Sequence, residues 1–251
     1  MEIIVHGATG RMGQKLLSLM ETTPGCTLAA AVSPELTTCP EKREFYALPE
    51  YQGAADVIID FSFHGAVGAL LDYAKARKLP VVICTTGHTP EERAAIDEAS
   101  REIPVFFSGN MSVGVALLVN LAKEAAKTLP DAEVEIVEIH HDQKIDAPSG
   151  TALMLAEGIK SVRPEATYQF GRQGTCKRTK EEIGFHSLRL GNTVGIHEVL
   201  LSTGTETITL KHEAYDRMLF AQGALRAAEY LLGKSAGFYN METMLGGKET
   251  P

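Results

Sequence analysis

Cysteine is scarce in this chain and widely scattered. Its four cysteines are Cys26, Cys39, Cys84 and Cys176, and no two of them form a Cys-x-x-Cys pair. This spacing argues against a disulfide framework or a zinc knuckle, and it favours a reducing compartment, the cytoplasm. The sequence also lacks an apolar run long enough to span a bilayer, and its start lacks the basic and apolar segments of a signal peptide. We therefore expect neither membrane insertion nor secretion.

Basic residues are in the minority as well. The sequence has 24 Lys and Arg against 32 Asp and Glu, which gives a formal net charge of −8. Because binding along a nucleic acid relies on clustered Lys and Arg, we expect no nucleic-acid partner. A small anion needs only one local site, so the net charge does not exclude an acidic substrate. With 251 residues, 44% of them hydrophobic, the chain can bury a core without metals or disulfides, in one large domain or two modest ones.

Short apolar runs alternate with helix-like segments over the first 110 residues. Strands that are buried on both faces and separated by helices are typical of a doubly wound parallel sheet. The sequence therefore predicts an α/β fold that opens with a Rossmann-type sheet. The predicted strands are 3–5, 27–32, 57–61, 81–83 and 105–107, and the predicted helices are 11–20, 66–78 and a third that begins after Thr89.

The pattern changes after about residue 110. Three consecutive apolar runs near the end are joined by tight turns, which favours antiparallel strand pairing. We therefore expect a second, α+β domain with an open mixed or antiparallel sheet. Its predicted elements are a long helix at 112–129, a strand at 134–140, a helix at 152–159 and strands at 183–190, 194–202 and 206–212, before a final helix at 215–233.

A glycine-rich turn stands between the first predicted strand and the first helix. Residues 7–13 read Gly-Ala-Thr-Gly-Arg-Met-Gly. Glycine permits a sharp turn and close approach of a pyrophosphate, and the helix N-terminus offers N–H groups to the anion. Such a motif is weak alone, and a plain tight turn is the alternative, but its place at the start of a βαβ unit favours dinucleotide binding. Two loops that follow strands, 84–87 and 108–111, lie where ligands bind in open α/β sheets.

The adenosine end departs from the usual pattern. An acidic residue normally follows the second strand and binds the ribose hydroxyls. Here Ser33 and Pro34 occupy that place, and Glu35 comes slightly late. Because a carboxylate there would repel a 2′-phosphate, its absence, with Arg11 nearby, makes NADPH acceptable. We therefore expect NADPH, NADH or both as cofactor.

Titratable groups cluster where a predicted strand runs into a helix. His140, His141 and Lys144 follow the strand, and Ser149-Gly150-Thr151 opens the helix. Histidine transfers protons near neutral pH, and a helix N-terminus holds carboxylates. The segment therefore predicts a site for an acidic small molecule. A metal on the His-His-Asp run is disfavoured, because no third ligand cluster follows at a suitable spacing.

The remaining histidines and a basic loop are open to simpler interpretations. We interpret His6 and His64 as packing or capping residues. His186, His197 and His212 lie on predicted strands as sheet-face residues, with room for one of them to line the substrate pocket. The loop 171–178 is either a solvated basic loop or a mobile segment that closes over the anion.

Together these motifs resemble the 4-hydroxy-tetrahydrodipicolinate reductase family, also called dihydrodipicolinate reductase. The matching segments are residues 7–13, Thr-Thr-Gly at 85–87, Asn110 with 112–115, His-His-x-x-Lys-x-Asp-Ala-Pro-Ser-Gly-Thr-Ala at 140–152, 182–186, Gly195-x-His197, His212 and 220–224. The resemblance implies NAD(P)H-dependent reduction of 4-hydroxy-tetrahydrodipicolinate to tetrahydrodipicolinate with loss of water, in diaminopimelate and lysine biosynthesis. Another two-domain dehydrogenase, or a dinucleotide sensor without catalysis, is the alternative.

The resemblance also implies roles for individual residues. His140 is the acid/base that handles the substrate proton, and Lys144 donates a proton or binds a carboxylate. His141, Gly150 and Thr151 bind the dicarboxylate substrate, and no metal is expected. The residues expected to bind the dinucleotide are Gly7, Ala8, Thr9, Gly10, Arg11, Met12, Cys84, Thr85, Thr86, Ser108, Gly109, Asn110 and Met111, with Phe61 against the nicotinamide.

The family pattern extends to assembly and domain order. It implies a homotetramer joined through the second domain's sheet and a C-terminal segment that completes the first domain. The expected dinucleotide-binding domain is thus 1–110 with 215–251, and residues 111–214 form the domain for substrate binding and oligomerisation. Two departures stand out. Cys84 replaces a usual glycine, and Ser33-Pro34 replaces an acidic residue followed by a basic one.

Overall fold

The computed structural model describes residues 1–246, and these form two compact units. The first unit contains Met1–Ser112 and the chain from Arg217 onward, and the second contains Val113–Asp216. Residues 247–251, which the sequence assigned to the dinucleotide-binding domain, lie outside the described residues. None of the described helices combines the length and the apolar character that crossing a membrane requires.

The elements of the first unit alternate between strand and helix before the chain enters the second unit. In chain order they are β1 (Glu2–His6), α1 (Arg11–Thr22), β2 (Thr27–Val32), β3 (Glu44–Phe45), β4 (Val57–Asp60), α2 (Val67–Arg77), β5 (Val81–Ile83), α3 (Pro90–Ala99) and β6 (Pro104–Phe107). The second unit follows with α4 (Val113–Thr128), β7 (Glu133–His140), α5 (Gly150–Lys160), β8 (Thr167–Phe170), β9 (Glu182–Arg189), β10 (Gly195–Ser202) and β11 (Thr207–Ala214). The chain then returns to the first unit with α6 (Met218–Leu231), β12 (Gly237–Tyr239) and α7 (Met241–Met244).

The first unit is built on a parallel sheet, as the sequence predicts. Among the described residues its strand order is β12-β6-β5-β4-β1-β2-β3. Every neighbouring pair is parallel. Because strands such as β4 and β5 are buried on both faces, their residues are continuously apolar up to the last position. Asp60 at the end of β4 is therefore an exception that needs an explanation.

The second unit has a mixed sheet, and one expected pairing is wrong. The described order is β11-β10-β7-β9-β8, so β7 lies between β9 and β10 instead of β9 pairing with β10. The turn after β9 is held by the end of β7, because the N–H of Leu190 donates to the carbonyl of His140 at 2.7 Å. The sheet is antiparallel on the β10 side of β7 and parallel on the β9 side.

The register of this sheet decides which side chains meet. Glu138 of β7 pairs with His197 of β10, and His140 pairs with Arg189 of β9. Alternate residues of β7 are buried, and Val134 and Ile136 join the core with α4 and α5 on that face. Glu138 and His140 share the face of Val134 and Ile136, because side chains alternate with a period of two. Charged side chains are thereby placed at one end of an otherwise apolar face.

Candidate active site

The glycine-rich turn of the first unit has little room for side chains. Gly7 has a φ of +80°, and a Cβ there would lie 2.6 Å from the backbone of Phe61 and Ser62. A Cβ on Gly13 would lie 2.2 Å from the carbonyl oxygen of Gly7. The N-cap of α1 is Gly10, which offers no side-chain hydrogen bond to the first turn. The first-turn N–H groups thus have no side-chain acceptor, and the turn fits a dinucleotide pyrophosphate.

Asp60 joins the loops at the carboxyl ends of three neighbouring strands. Its side chain is 2% exposed, and its carboxylate binds His6 Nδ1 at 2.8 Å and Thr85 Oγ1 at 2.6 Å. The hydroxyl of Ser62 donates to it as well, at 2.5 Å. Burial alone raises the pKa of Asp60, but the hydrogen bonds from His6, Ser62 and Thr85 outweigh it and lower the pKa below its usual value. His6 therefore does more than pack, since it helps to keep Asp60 ionised.

The two loops after β5 and β6 present a mixture of buried and exposed residues. Cys84 is buried, and burial followed by the charge of Asp60 raises the pKa of its thiol well above the usual value, so the thiol stays neutral. Met111 is also buried, and its carbonyl lies where a Cβ on Gly223 of α6 would stand. The exposed members of the expected dinucleotide set are Thr9, Gly10, Arg11, Thr86 and Gly109, whereas Gly7, Ala8, Thr85 and Ser108 are buried and Met12 and Asn110 are half-buried.

Glu35 lies closer to the glycine-rich turn than its position in the sequence indicates. A turn in which the N–H of Leu36 donates to the carbonyl of Ser33 folds the chain back. The Glu35 carboxylate accepts hydrogen bonds from Ser33 Oγ at 2.5 Å and Thr9 Oγ1 at 2.8 Å. The hydrogen bonds from Ser33 and then Thr9 lower the pKa of Glu35. The end of β2 therefore does carry a carboxylate, although the sequence argument treated it as missing.

In the second unit, His140 lies beside a buried carboxylate. Nδ1 of His140 is hydrogen-bonded to Glu138, whose side chain is 1% exposed. Arg189 donates to both oxygens of Glu138, at 3.0 and 3.1 Å. Burial raises the pKa of Glu138, but the hydrogen bonds from His140 and Arg189 outweigh it and bring the pKa down to about 2. Glu138 is thus a carboxylate throughout the physiological range.

His197 lies on the neighbouring strand, β10, next to His140. Its ring lies 5.1 Å from the ring of His140, and its Nε2 lies 3.1 Å from Ser149 Oγ. Burial, followed by the neighbouring His140, lowers the pKa of His197 to about 3, so this ring is neutral. Of the three strand histidines, His197 is thus the one next to the candidate acid, while His186 binds Glu135 on the other face of β7.

The remaining substrate candidates lie between β7 and the start of α5. Ser149 caps α5 by accepting the N–H of Ala152, and its own N–H donates to Glu138 at 3.3 Å. Gly150 and Thr151 are the first two residues of α5. Lys144 binds the Asp146 carboxylate at 2.7 Å and is partly buried. His141 is half-buried. The structure thus brings Ser149 and the helix start to the carboxylate that contacts His140.

The same residues meet one criterion for a metal site. Glu138, His140 and His197 offer ligand atoms within 4.8 Å of one another, a grouping that the sequence argument did not foresee. Arg189, however, already donates to both carboxylate oxygens. A cation would have to displace the guanidinium group, so the donor set fits a proton-transfer site better than a metal centre.

Two arginines of the basic loop at 171–178 form ion pairs with acidic side chains. Arg172 binds Glu182 at 2.6 Å, and Arg178 binds Glu135 and the carbonyl of Glu182. Both arginines thus have carboxylate partners within their own unit.

Sequence reasoning missed Glu138, Arg189 and Asp60. A signal for Glu138 was available, because it breaks the alternation of β7. Glu133 and Glu135 occupy the odd positions, whereas Glu138 shares the even positions with Val134 and Ile136. A charged residue on the face of a strand that is otherwise apolar indicates a buried, paired charge.

Family models of dihydrodipicolinate reductase match almost the whole chain. The model of that enzyme's N-terminus matches residues 1–111, and the model of its C-terminus matches residues 114–245. A 4-hydroxy-tetrahydrodipicolinate reductase from Caldanaerobacter subterraneus subsp. tengcongensis is 45% identical, over 97% of this chain and 97% of the relative. One from Clostridium novyi is 41% identical, over 98% of this chain and 99% of the relative.

A solved structure agrees at the level of the fold. The dipicolinate-bound dihydrodipicolinate reductase from Paenisporosarcina sp. TG-14 superimposes with a TM-score of 0.78 over 95% of this chain and 97% of that one, at 23% identity. The sequence matches cover both units, whereas an unrelated dehydrogenase would share little beyond the glycine-rich turn. This chain belongs to the dihydrodipicolinate reductase family.

Proposed function

We propose that His140 is the acid in the reduction of 4-hydroxy-tetrahydrodipicolinate to tetrahydrodipicolinate. The chain is an NAD(P)H-dependent oxidoreductase of diaminopimelate and lysine biosynthesis, as its family membership shows. A dinucleotide sensor without catalysis, the rival hypothesis, is thereby set aside. The reaction removes water from a small cyclic dicarboxylate and adds a hydride and a proton, so it needs anion-binding groups and a proton donor.

In this proposal the first unit holds the dinucleotide. The turn at 7–12 and the loops at 84–86 and 108–111 supply the contacts, and the close packing around Gly7 and Gly13 supports this assignment. When bound, the reduced nicotinamide supplies the hydride that reduces the substrate ring. The hydrogen bond of Thr85 to the buried Asp60 holds the start of the 84–86 loop against the end of β4, which reduces the cost of ordering this loop on binding.

The second unit binds and protonates the substrate. The N-cap bond of Ser149 takes the N–H of Ala152, so the earlier N–H of Gly150 is available to a substrate carboxylate, with Thr151 beside it. Lys144 donates a proton or binds a substrate carboxylate, and His141 contacts the substrate. Nε2 of His140 delivers the proton to the ring carbon next to the one that receives hydride, while its Nδ1–H keeps donating a hydrogen bond to Glu138.

The observation that carries this proposal is the hydrogen bond of His140 to a buried, ionised carboxylate. We expect His140→Gln and Lys144→Ala each to lower kcat by about 10²- to 10⁴-fold, because each removes a group that acts on the reacting substrate. Dinucleotide affinity, measured from the change in NADH fluorescence on binding, should change little. Substrate is generated by the upstream synthase, and turnover is followed by loss of reduced nicotinamide absorbance.

His186→Gln is the matched control, because His186 also binds a glutamate of β7 but on the opposite face. It should keep wild-type turnover. Wild-type kcat in both His140→Gln and Lys144→Ala would remove these two residues from the mechanism.

We also propose a homotetramer in which the second unit's sheet forms the subunit contact. One face of that sheet covers the core. The other carries charged side chains such as Glu135 and also apolar ones. The apolar side chains, here called the outer face, are Val137, Ile139, Leu188, Ile196 and Leu200. An exposed apolar patch of this kind is typical of a protein–protein interface.

The assignment of the two domains and of the compartment completes the proposal. We propose that residues 1–110 with 215–251 bind the dinucleotide and that residues 111–214 bind substrate and form the oligomer. We place the enzyme in the cytoplasm, and its four unpaired cysteines support a reducing compartment.

A further inference from the structure

Glu138 is a buried charge to which the proposed function assigns no role of its own. It lies on the core face of β7, two residues before His140, and only 1% of its side chain is exposed. Burying a carboxylate is costly unless several donors satisfy it. A purely apolar side chain would continue the face of Val134 and Ile136 at no such cost. The presence of glutamate here therefore needs a reason beyond packing.

The contacts of Glu138 fix the proton on one nitrogen of His140. An ionised carboxylate is only an acceptor, so the bonded Nδ1 of His140 must be the N–H donor. Nε2 is then the nitrogen left to exchange a proton with a substrate. Gly195 leaves room at this nitrogen, since a Cβ there would lie only 3.1 Å from Nε2.

Arg189 ties the same carboxylate to the loop that carries Lys144. Its guanidinium group donates to both oxygens of Glu138, and it also donates to the carbonyl of Asp146 at 2.6 Å and of Lys144 at 3.2 Å. Such a planar, two-pronged contact fixes direction as well as distance. One buried ion pair thus connects β7, β9 and the 144–146 loop.

We propose that Glu138, held by Arg189, is a positioning residue that orients His140 for proton donation through Nε2. The inference rests on the proposed role of His140 as the acid. It assigns to Glu138 no contact with substrate, only control of the tautomer and direction of the imidazole ring.

Glu138→Gln tests the inference. The amide can turn its NH2 group toward Nδ1, which favours the opposite tautomer, so we expect kcat to fall by about 10- to 100-fold with little change in KM or in dinucleotide affinity.

A spectroscopic readout does not depend on turnover. The Nδ1–H of His140 should give a far-downfield proton resonance in NMR spectra, which His140→Gln identifies by its loss and Glu138→Gln removes. Glu138→Asp keeps the charge and should recover part of the activity that Glu138→Gln loses. If replacement of the buried carboxylate prevents folding, Arg189→Lys offers a milder test, with a smaller loss of kcat in the same direction.

Glu135→Gln is the matched control, because Glu135 binds Arg178 and His186 on the other face of the same strand. It should leave the resonance of His140 unchanged. If His140→Gln is impaired while Glu138→Gln keeps the wild-type kcat and resonance, the inference about Glu138 is wrong and the proposed function stands. If His140→Gln is itself unimpaired, the acid role fails, and the inference fails with it.

Discussion

At the end of β2, Glu35 stands in the region where dinucleotide enzymes place a ribose-binding carboxylate. Its hydrogen bonds to Thr9 and Ser33 hold it beside the glycine-rich turn. A carboxylate at this position accepts from ribose hydroxyls and repels a 2′-phosphate. We therefore expect the enzyme to prefer NADH to NADPH, whereas Ser33 and Pro34 in the sequence left both nucleotides open.

We expect Glu35→Gln to raise kcat/KM for NADPH by about 10-fold and to lower it for NADH, because the repulsion and the ribose acceptor are both weakened. Steady-state kinetics with each nucleotide measures the change. Because Glu35 is exposed, added salt should screen its charge. The preference of the wild-type enzyme for NADH over NADPH should then become smaller.

Glu21→Gln is a suitable control, as Glu21 is an exposed acid near the end of α1. It should leave the ratio of the two kcat/KM values unchanged. A wild-type enzyme that prefers NADPH would show that Glu35 does not select the nucleotide.

At the scale of elements, a buried arginine from another part of the same unit caps the C-terminal end of α4. Arg163 is 9% exposed and donates to the carbonyls of Ala126, Leu129 and Ala132. These carbonyls belong to the end of the helix and the turn after it, where acceptors lack partners within the helix. The positive charge also suits the negative end of the helix dipole.

We expect Arg163→Met to destabilise the protein by about 3 kcal/mol, because each of the three carbonyls loses a donor, although that of Leu129 keeps the N–H of Ala132. The measurement is urea unfolding followed by circular dichroism. Lys127→Met is the matched control, since Lys127 is an exposed cation in the last turn of the same helix. Equal stability of the two variants would contradict the capping role. The kcat of folded Arg163→Met should be close to that of the wild type.

The same scale shows what the sequence can and cannot predict. The parallel sheet was predictable because β1, β2, β4, β5 and β6 are apolar runs separated by helices. The short strands β3 and β12, of two and three residues, are too brief to leave a periodic pattern. The position of β7 between β9 and β10 was not predictable, because local turn residues carry no information about a third strand.

The candidate site likewise contains residues that the sequence can predict and residues that it cannot. The glycine-rich turn and the segment with His140, Lys144 and Gly150 stand out in sequence because they are contiguous motifs. Arg189 and His197 reach the site only through the strand register, which pairs them with His140 and Glu138. Glu35 depends on a reverse turn whose course is fixed by hydrogen bonds and not by spacing.

At the scale of the whole molecule, the outer face of the second unit's sheet is the feature that assembly would explain. Ile139 pairs with Ile196 on one side and with Leu188 on the other, so apolar side chains form a continuous patch across three strands. Leu188 is 43% exposed in the single chain. Covering such a patch with another copy removes apolar surface from water, which favours association.

We expect the wild-type protein to sediment as a tetramer and Leu200→Glu to shift it toward smaller species. The introduced carboxylate would have to be buried without a partner at the contact, which costs more than the lost leucine contributes. Sedimentation velocity over a range of protein concentrations measures the shift, since dissociation grows on dilution. Leu232→Glu is the control, because Leu232 is an exposed leucine of the first unit, and it should keep the wild-type mass. A tetramer that survives Leu200→Glu unchanged would place the subunit contact elsewhere on the chain, and a monomeric wild type would leave the outer face without the partner proposed for it.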